Sequence, residues 1–407
     1  MAGRDPHESH RAATPLELLF DLTFVVAFGM AADELAHYLV EDHVDTALAG
    51  FAFATFAITW AWINFSWFAS AYDTDDWVFR LATMVQMVGV IILALGLPDL
   101  FASIDAGETV DNRVLVAGYV VMRVALVFQW LRAARQDPAR RAACVTYAKA
   151  IAIAQAGWIA VLIMESSVAV TFVLAGLLAL VEFAGPWIAE TRKGGTPWHA
   201  HHIVERYGLL VIIALGEGVI GTIASLSALV GPEGAGWSVD AALVAVAGTA
   251  LTFGMWWIYF IVPSGPILHA HRDRSFGWGY GHIPVIGAVV ATGGGLHVAA
   301  YYLEEHSALD AFATVLCVVV PVAAFVFGVF ALYAYLTRTL DPFHLWLMAG
   351  TVVPLAAPLP LAAGGVSMAW CLIVLCVAPW VTVVGYELHG HRHNAEVLAA
   401  LPDPGGA

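Results

Sequence analysis

The chain has 407 residues, of which 60% are hydrophobic and only 12% charged. Soluble domains hold roughly 45–50% apolar and about 25% charged residues, so a soluble globule, a coiled coil and a disordered chain are excluded. A formal charge of -15, from 17 Lys+Arg against 32 Asp+Glu, repels phosphate and excludes nucleic acid as a partner.

What remains is a polytopic membrane protein whose first partner is the lipid bilayer. A helix needs roughly 20 mostly apolar residues to cross about 30 Å of hydrocarbon. Twelve stretches reach that length: 16–40, 46–69, 79–102, 111–132, 144–164, 167–189, 202–226, 237–262, 278–302, 309–336, 342–363 and 366–388. They are too long and continuous for barrel strands. A helix satisfies its backbone groups within one segment, as lipid demands. The expected fold is therefore an all-α transmembrane helical bundle. Span 342–363 carries Pro354, Pro358 and Pro360, so its outer half should not be a regular helix and is expected to be either broken or partly re-entrant. Pro321 and Pro379 should kink two other spans. The first apolar stretch is too long for a cleavable leader and contains Glu17, Asp21, Asp33 and Glu34, so it reads as its own insertion signal. Cys144, Cys317, Cys371 and Cys376 fall inside spans and read as small core residues, not as a disulfide or zinc framework.

With the N-terminus in the cytoplasm, 15 of the 17 basic residues face inward; Arg113 falls outside and Arg123 mid-span. This bias is the positive-inside signature and places both termini in the cytoplasm. The basic loop 192–197 leaves six spans on each side, dividing the chain into halves 1–195 and 196–407. Glu17 and Glu205 open equivalent spans. Trp60-Ala61-Trp62-Ile63-Asn64-Phe65 matches Met255-Trp256-Trp257-Ile258-Tyr259-Phe260 in position, and Gly89 matches Gly287. Six spans is an even number, so a duplication would give parallel halves. An aromatic belt at the interface would give the same recurrence, and both readings stand.

An ionisable group inside the membrane is costly and by default marks a site. Glu17 and Asp21 lie one turn apart on the same face of span one. Asn64, Gln86 and Glu182 lie in the cytoplasmic halves of spans two, three and six. Arg123 and Glu217 lie near mid-span, and equal depth makes Glu217 the expected partner of Arg123. Gly216, Gly218 and Gly221 flank Glu217 and would let a helix approach closely or leave room for water or an ion. Glu205 and Arg206 open span seven. Together these residues form the candidate ion- or substrate-binding set. A static ion pair that fixes helix register would account for the Arg123 pairing alone.

The turn Asp73-Thr74-Asp75-Asp76, followed by Arg80, puts three acids on the basic side. It reads either as a cytoplasmic mouth that collects cations or as a helix cap, with Arg80 paired one turn on. The cap suits at least one of Asp75 and Asp76. Histidines cluster at His199, His201 and His202, at His269 and His271, and at His389, His391 and His393. Without a Cys or an ordered carboxylate partner they are not taken as a metal site. His282 and His297 lie within span nine, as helix contacts or as a proton relay. There is no P-loop, HExxH, G-x-S-x-G or dinucleotide fingerprint, which weighs against an enzyme and calls for no cofactor.

Three stretches resemble a known family. They are Glu17-Leu18-Leu19-Phe20-Asp21-Leu22-Thr23-Phe24-Val25, Phe68-Ala69-Ser70-Ala71-Tyr72-Asp73-Thr74-Asp75-Asp76 with Arg80-Leu81 and Gln86-Met87, and the run from Glu205-Arg206-Tyr207-Gly208 to Gly216-Glu217. With Trp256-Trp257-Ile258-Tyr259-Phe260 and Tyr280-Gly281-His282-Ile283-Pro284, they are similar to the bacterial low temperature requirement A (LtrA) family. The family often has an acid after the Tyr-Phe of span eight, where Ile261 stands here. The resemblance implies a multi-pass inner-membrane protein named for growth in the cold, without a settled activity. Phe20-Asp21 and Trp62-x-Asn64 are more weakly similar to signatures of the lysosomal potassium channel family, which has a Ser between Phe and Asp that this chain lacks.

The leading expectation is a secondary transporter or ion pathway for a proton, small cation or solute. Asp21 and Glu217 would bind the cargo and Arg123 would act as counter-charge. Two alternatives are carried. One is an intramembrane enzyme acting on a lipid-like substrate. The other is a scaffold or stress sensor that transports nothing.

Overall fold

The computed structural model describes residues 3–6, 8, 11–231 and 236–401, and every helix or strand longer than an isolated bridge among them is a helix. In chain order the α-helices are α1 (Pro15–Val40), α2 (Val44–Tyr72), α3 (Trp77–Leu95), α4 (Leu97–Ala106), α5 (Arg113–Gln136), α6 (Arg141–Met164), α7 (Val168–Arg192) and α8 (Ala200–Val230). There follow α9 (Val239–Ile261), α10 (Ser264–Ala270), α11 (Ser275–Leu303), α12 (Ala311–Thr337), α13 (Pro342–Ala356), α14 (Pro358–Ala363), α15 (Met368–Gly385) and α16 (His391–Ala399). They supply 12 stretches long and apolar enough to cross a membrane. Each falls on one of the twelve expected spans.

Local chemistry sets the helix ends. Asp76, Asp310 and Asp341 cap α3, α12 and α13, each accepting a hydrogen bond from a first-turn N–H. Such a side chain satisfies a donor that the helix itself leaves unpaired. Gly96 separates α3 from α4, and Gly107, in the left-handed region at φ 75°, closes α4. The outer half of span 342–363 stays helical, contrary to expectation: Pro354 sits inside α13, and only a one-residue turn at Ala357, itself at right-handed helical angles, separates α13 from α14. Pro321 and Pro379 sit inside α12 and α15, which continue past them. A single wide turn, Tyr386–Gly390, links α15 to α16.

The chain forms two compact units, one from residues 1–31 and 49–206, the other from 32–48 and 207–407. In the first, α3 packs on α5, α5 on α6 and α6 on α7. Gly89 and Gly118 face each other where α3 crosses α5; a methyl on Gly89 would come within 2.7 Å of the Gly118 carbonyl oxygen. Trp60, Trp62, Phe65, Phe68 and Tyr72 of α2 are fully buried. In the second unit, α11 packs on α12, and α15 on α9 and α13.

Candidate functional site

Two pairs of residues spaced by four meet in the first unit. Glu17 and Asp21 share a face of α1, and His202 and Arg206 share a face of α8. The Arg206 guanidinium lies between the two carboxylates. Its Nη1 is 3.0 Å from Glu17 Oε1, and its Nη2 donates to Asp21 Oδ1 and, at 3.3 Å, to Ser66 Oγ. From α2, Trp62 Nε1 donates to Asp21 Oδ1 at 2.7 Å. His202 Nε2 stands 3.2 Å from Glu17 Oε1. The Thr14 backbone N–H donates to Glu17 Oε2 at 2.8 Å. Glu17, Asp21, His202 and Arg206 are all 0% exposed.

Two carboxylates contact one guanidinium, Arg11 lies within electrostatic reach of Glu17, and Asp21 Oδ2 has no hydrogen-bond partner. Burying a charge is costly unless it is paired and hydrogen-bonded. The unpartnered oxygen is thus Oδ2 of a carboxyl that is itself fully buried.

A second buried network surrounds Glu182 of α7. Trp60 Nε1 donates to Oε2 at 2.8 Å, while Tyr119 Oη and Trp158 Nε1 donate to Oε1 at 3.1 and 3.3 Å. Arg123 lies 3.4 Å from Oε2 and also donates to the Tyr119 hydroxyl. This corrects the expected Arg123–Glu217 pair, since the acid held by Arg123 is Glu182. Depth along a span gave the wrong partner because Glu182 comes from a helix whose rotation and tilt sequence depth does not fix.

The other candidates are dispersed. Asn64 Nδ2 donates to the Trp60 carbonyl of its own helix at 2.8 Å. Gln86 donates to Gln129 at 2.8 Å, joining α3 to α5. Glu205 is exposed and accepts from the Ala13 N–H at 3.2 Å. In the turn before α3, Asp75 pairs with Arg80 at 2.7 Å, and Asp76 pairs with Arg132 at 2.6 Å while capping the helix. Hydrogen bonds from Arg80 and Arg132 hold these two carboxyls below the usual aspartate range. Asp73 is different: burial pushes its carboxyl up, and the negative charge of Glu17 adds to the shift. Arg11 donates to the Ser70 and Ala69 carbonyls at the end of α2, and burial lowers its pKa to about 10.

In the second unit, Glu217 is 2% exposed, against the backbone of α11 at Gly293. Of the three glycines near it, Gly221 admits the Gly293 carbonyl, Gly218 faces Thr252, and Gly216 faces open space. His297 Nδ1 is 3.0 Å from Asp33 Oδ1. His282 contacts the Trp278 carbonyl through Nδ1 at 2.7 Å and the Tyr259 hydroxyl through Nε2 at 3.0 Å. The two histidines are fifteen residues apart on one helix, about 22 Å along its axis, so neither hands a proton directly to the other. The carboxylate missing from the reading of the C-terminal histidines is Asp341, whose Oδ2 is 3.0 Å from His393 Nδ1.

Sequence reasoning passed over Trp60, Tyr119 and Trp158 as ligands of Glu182, and Arg132 as the partner of Asp76. His202 carried a signal, since it stands four residues before Arg206 as Glu17 does before Asp21.

Twelve apolar helices and buried ion networks define a polytopic α-helical membrane protein. The chain belongs to the bacterial low temperature requirement A protein (LtrA) family, which it matches over residues 12–379. It is similar to the Uncharacterized protein RA0937 of Rhizobium meliloti (strain 1021), at 27% identity over 291 residues, covering 68% of this chain and 66% of the relative. The chain thus spans just under two thirds of that relative's length.

Proposed function

We propose that the protein is a secondary transporter or ion pathway of the bacterial inner membrane, with both termini cytoplasmic, and that it moves a proton or small cation at the Asp21 centre. The observation that carries this reading is Asp21 itself: a fully buried carboxylate with Oδ2 unpartnered, sharing Arg206 with Glu17. A proton or small cation at Oδ2 satisfies the oxygen that the protein leaves unpartnered. Arg206 takes the role first expected of Arg123, that of a tethered counter-cation competing with the cargo. Release of the guanidinium from Asp21 favours cargo, and its return favours discharge, a reciprocal coupling of two ligands. Asp73 lies within electrostatic reach of Glu17 and makes the step from the acidic turn toward the centre.

The complete burial of the centre also favours a second reading, a static network that fixes the register of α1, α2 and α8. Flux in proteoliposomes separates the two. Purified protein is reconstituted and challenged with proton, sodium and potassium gradients. The transport reading expects flux that falls at least tenfold in Asp21→Asn and Glu17→Gln while both variants remain monodisperse with cooperative unfolding. Absence of wild-type flux, or flux unchanged in both variants, overturns it in favour of the static network.

A further inference from the structure

We propose that Asp341, His344 and His393 form a binding site for a divalent first-row transition ion, with zinc as its reference occupant. One ligand atom from each of the three lies within 4.8 Å of the others. Asp341 caps α13, His344 sits in the first turn of that helix, and His393 comes from α16. Two imidazoles and one carboxylate are a donor set suited to zinc and its neighbours in the first transition row, with coordination positions left for water or another ligand.

The surroundings prepare each ligand. Asp341 divides its two oxygens: Oδ1 accepts from the Phe343 N–H at 2.7 Å and holds the helix start, while Oδ2 turns to His393. His393 Nε2 contacts the Tyr333 hydroxyl at 3.2 Å, which leaves Nδ1, the nitrogen facing Asp341, for the ion. His344 Nε2 hydrogen-bonds the Tyr386 hydroxyl. Phenols that orient both rings are the kind of outer partner that fixes a metal-binding imidazole. A cavity of about 220 Å³ adjoins the cluster, lined by Asp341, His344 and Tyr333 together with Phe330, Leu345 and Met348. It has room for the water or exchangeable ligand that a three-ligand site keeps. His393 lies beyond residues 12–379, so this site depends on a residue outside the family match. An ion here would pin the C-terminal helix to the start of α13. The proposal is independent of the transport reading, because it shares no residue with the Asp21 centre.

The test uses the full chain in detergent, dialysed against Zn²⁺ alone, with Co²⁺ as a spectroscopic probe. One tightly held Zn²⁺ per chain is expected, with visible d–d absorption when Co²⁺ replaces it. Asp341→Asn retains the cap acceptor, and His393→Gln alters a half-buried side chain. Each should weaken Zn²⁺ at least tenfold and abolish the Co²⁺ bands, with unfolding of the metal-free protein monitored in parallel. The double variant His389→Gln with His391→Gln, at exposed positions nearby, should bind as wild type does. The proposal is overturned by no stoichiometric ion, by undiminished affinity in both site variants, or by binding that depends on His389 and His391.

Discussion

Asp73 and Asp76 stand three residues apart in the turn before α3, yet their carboxyls shift in opposite directions. A hydrogen bond from Arg132 lowers Asp76, against the opposing effect of burial, while burial raises Asp73. A lowered acid stabilises the fold above its ordinary value of 3.8, and that contribution is lost as pH falls through the lowered value. A raised acid works the other way: its ionisation opposes the fold as pH rises from the ordinary value through the raised one. Asp76→Asn keeps the cap acceptor but loses the Arg132 pair, so it should cost up to about 1 kcal/mol at neutral pH. The difference from wild type should shrink on acidification below the ordinary aspartate range. Asp73→Asn should stabilise at neutral pH, with the gain disappearing in acid. Thermal unfolding in detergent across that range reads both; an Asp76→Asn cost that is as large in acid as at neutral pH would exclude the ion pair as its source. The cap was legible in the sequence because it is local. Arg132 was not, since it lies 56 residues away and only packing brings it to Asp76.

The helices themselves were the most legible feature, because in lipid an apolar run of sufficient length has few alternatives to helix. Only the place of the interruption in span 342–363 was legible, because clustered prolines remove backbone donors around Ala357; that the segment stays helical through them was not. Which helix touches which was not, because small residues act as contacts only once a partner is known. Gly118 shows the difference. A methyl there would collide with the backbone nitrogen of Leu93 and the carbonyl of Gly89, and neither can yield as a flexible side chain does. Gly176 on α7 faces nothing within 4 Å. Gly118→Ala should therefore destabilise by about 1–3 kcal/mol through overpacking. Gly176→Ala should be neutral or gain about 0.5–1 kcal/mol from the lower backbone entropy of the unfolded chain. Unfolding of the two variants side by side in one detergent makes the comparison. Equal effects would mean that the Gly89–Gly118 crossing is not tightly packed in the membrane protein.

At the scale of the whole chain, charge asymmetry carries information that packing does not. Fifteen of the 17 basic residues lie at one set of alternate loops and span ends, while Glu108 and Glu304 lie among the acids of the opposite set. Translocating Lys and Arg is disfavoured during insertion, so this asymmetry predicts cytoplasmic termini. The buried centre was legible in part for a comparable reason: charges are so rare in these spans that Glu17, Asp21 and Arg206 stand out. Their mutual contact, with His202 added, needed the fold. Sidedness is open to a direct test because the native thiols give little background; Cys144, Cys371 and Cys376 are buried and Cys317 is half-buried. Single cysteines at Glu108 and Glu304 should react with a membrane-impermeant maleimide added outside sealed cells. Cysteines at Lys193 and Arg392 should react only after the membrane that holds the protein is permeabilised. Labelling of Lys193→Cys and Arg392→Cys before permeabilisation would invert the orientation. Labelling of just one of those two would mean that an odd number of crossings separates α7 from α16, contrary to twelve full spans.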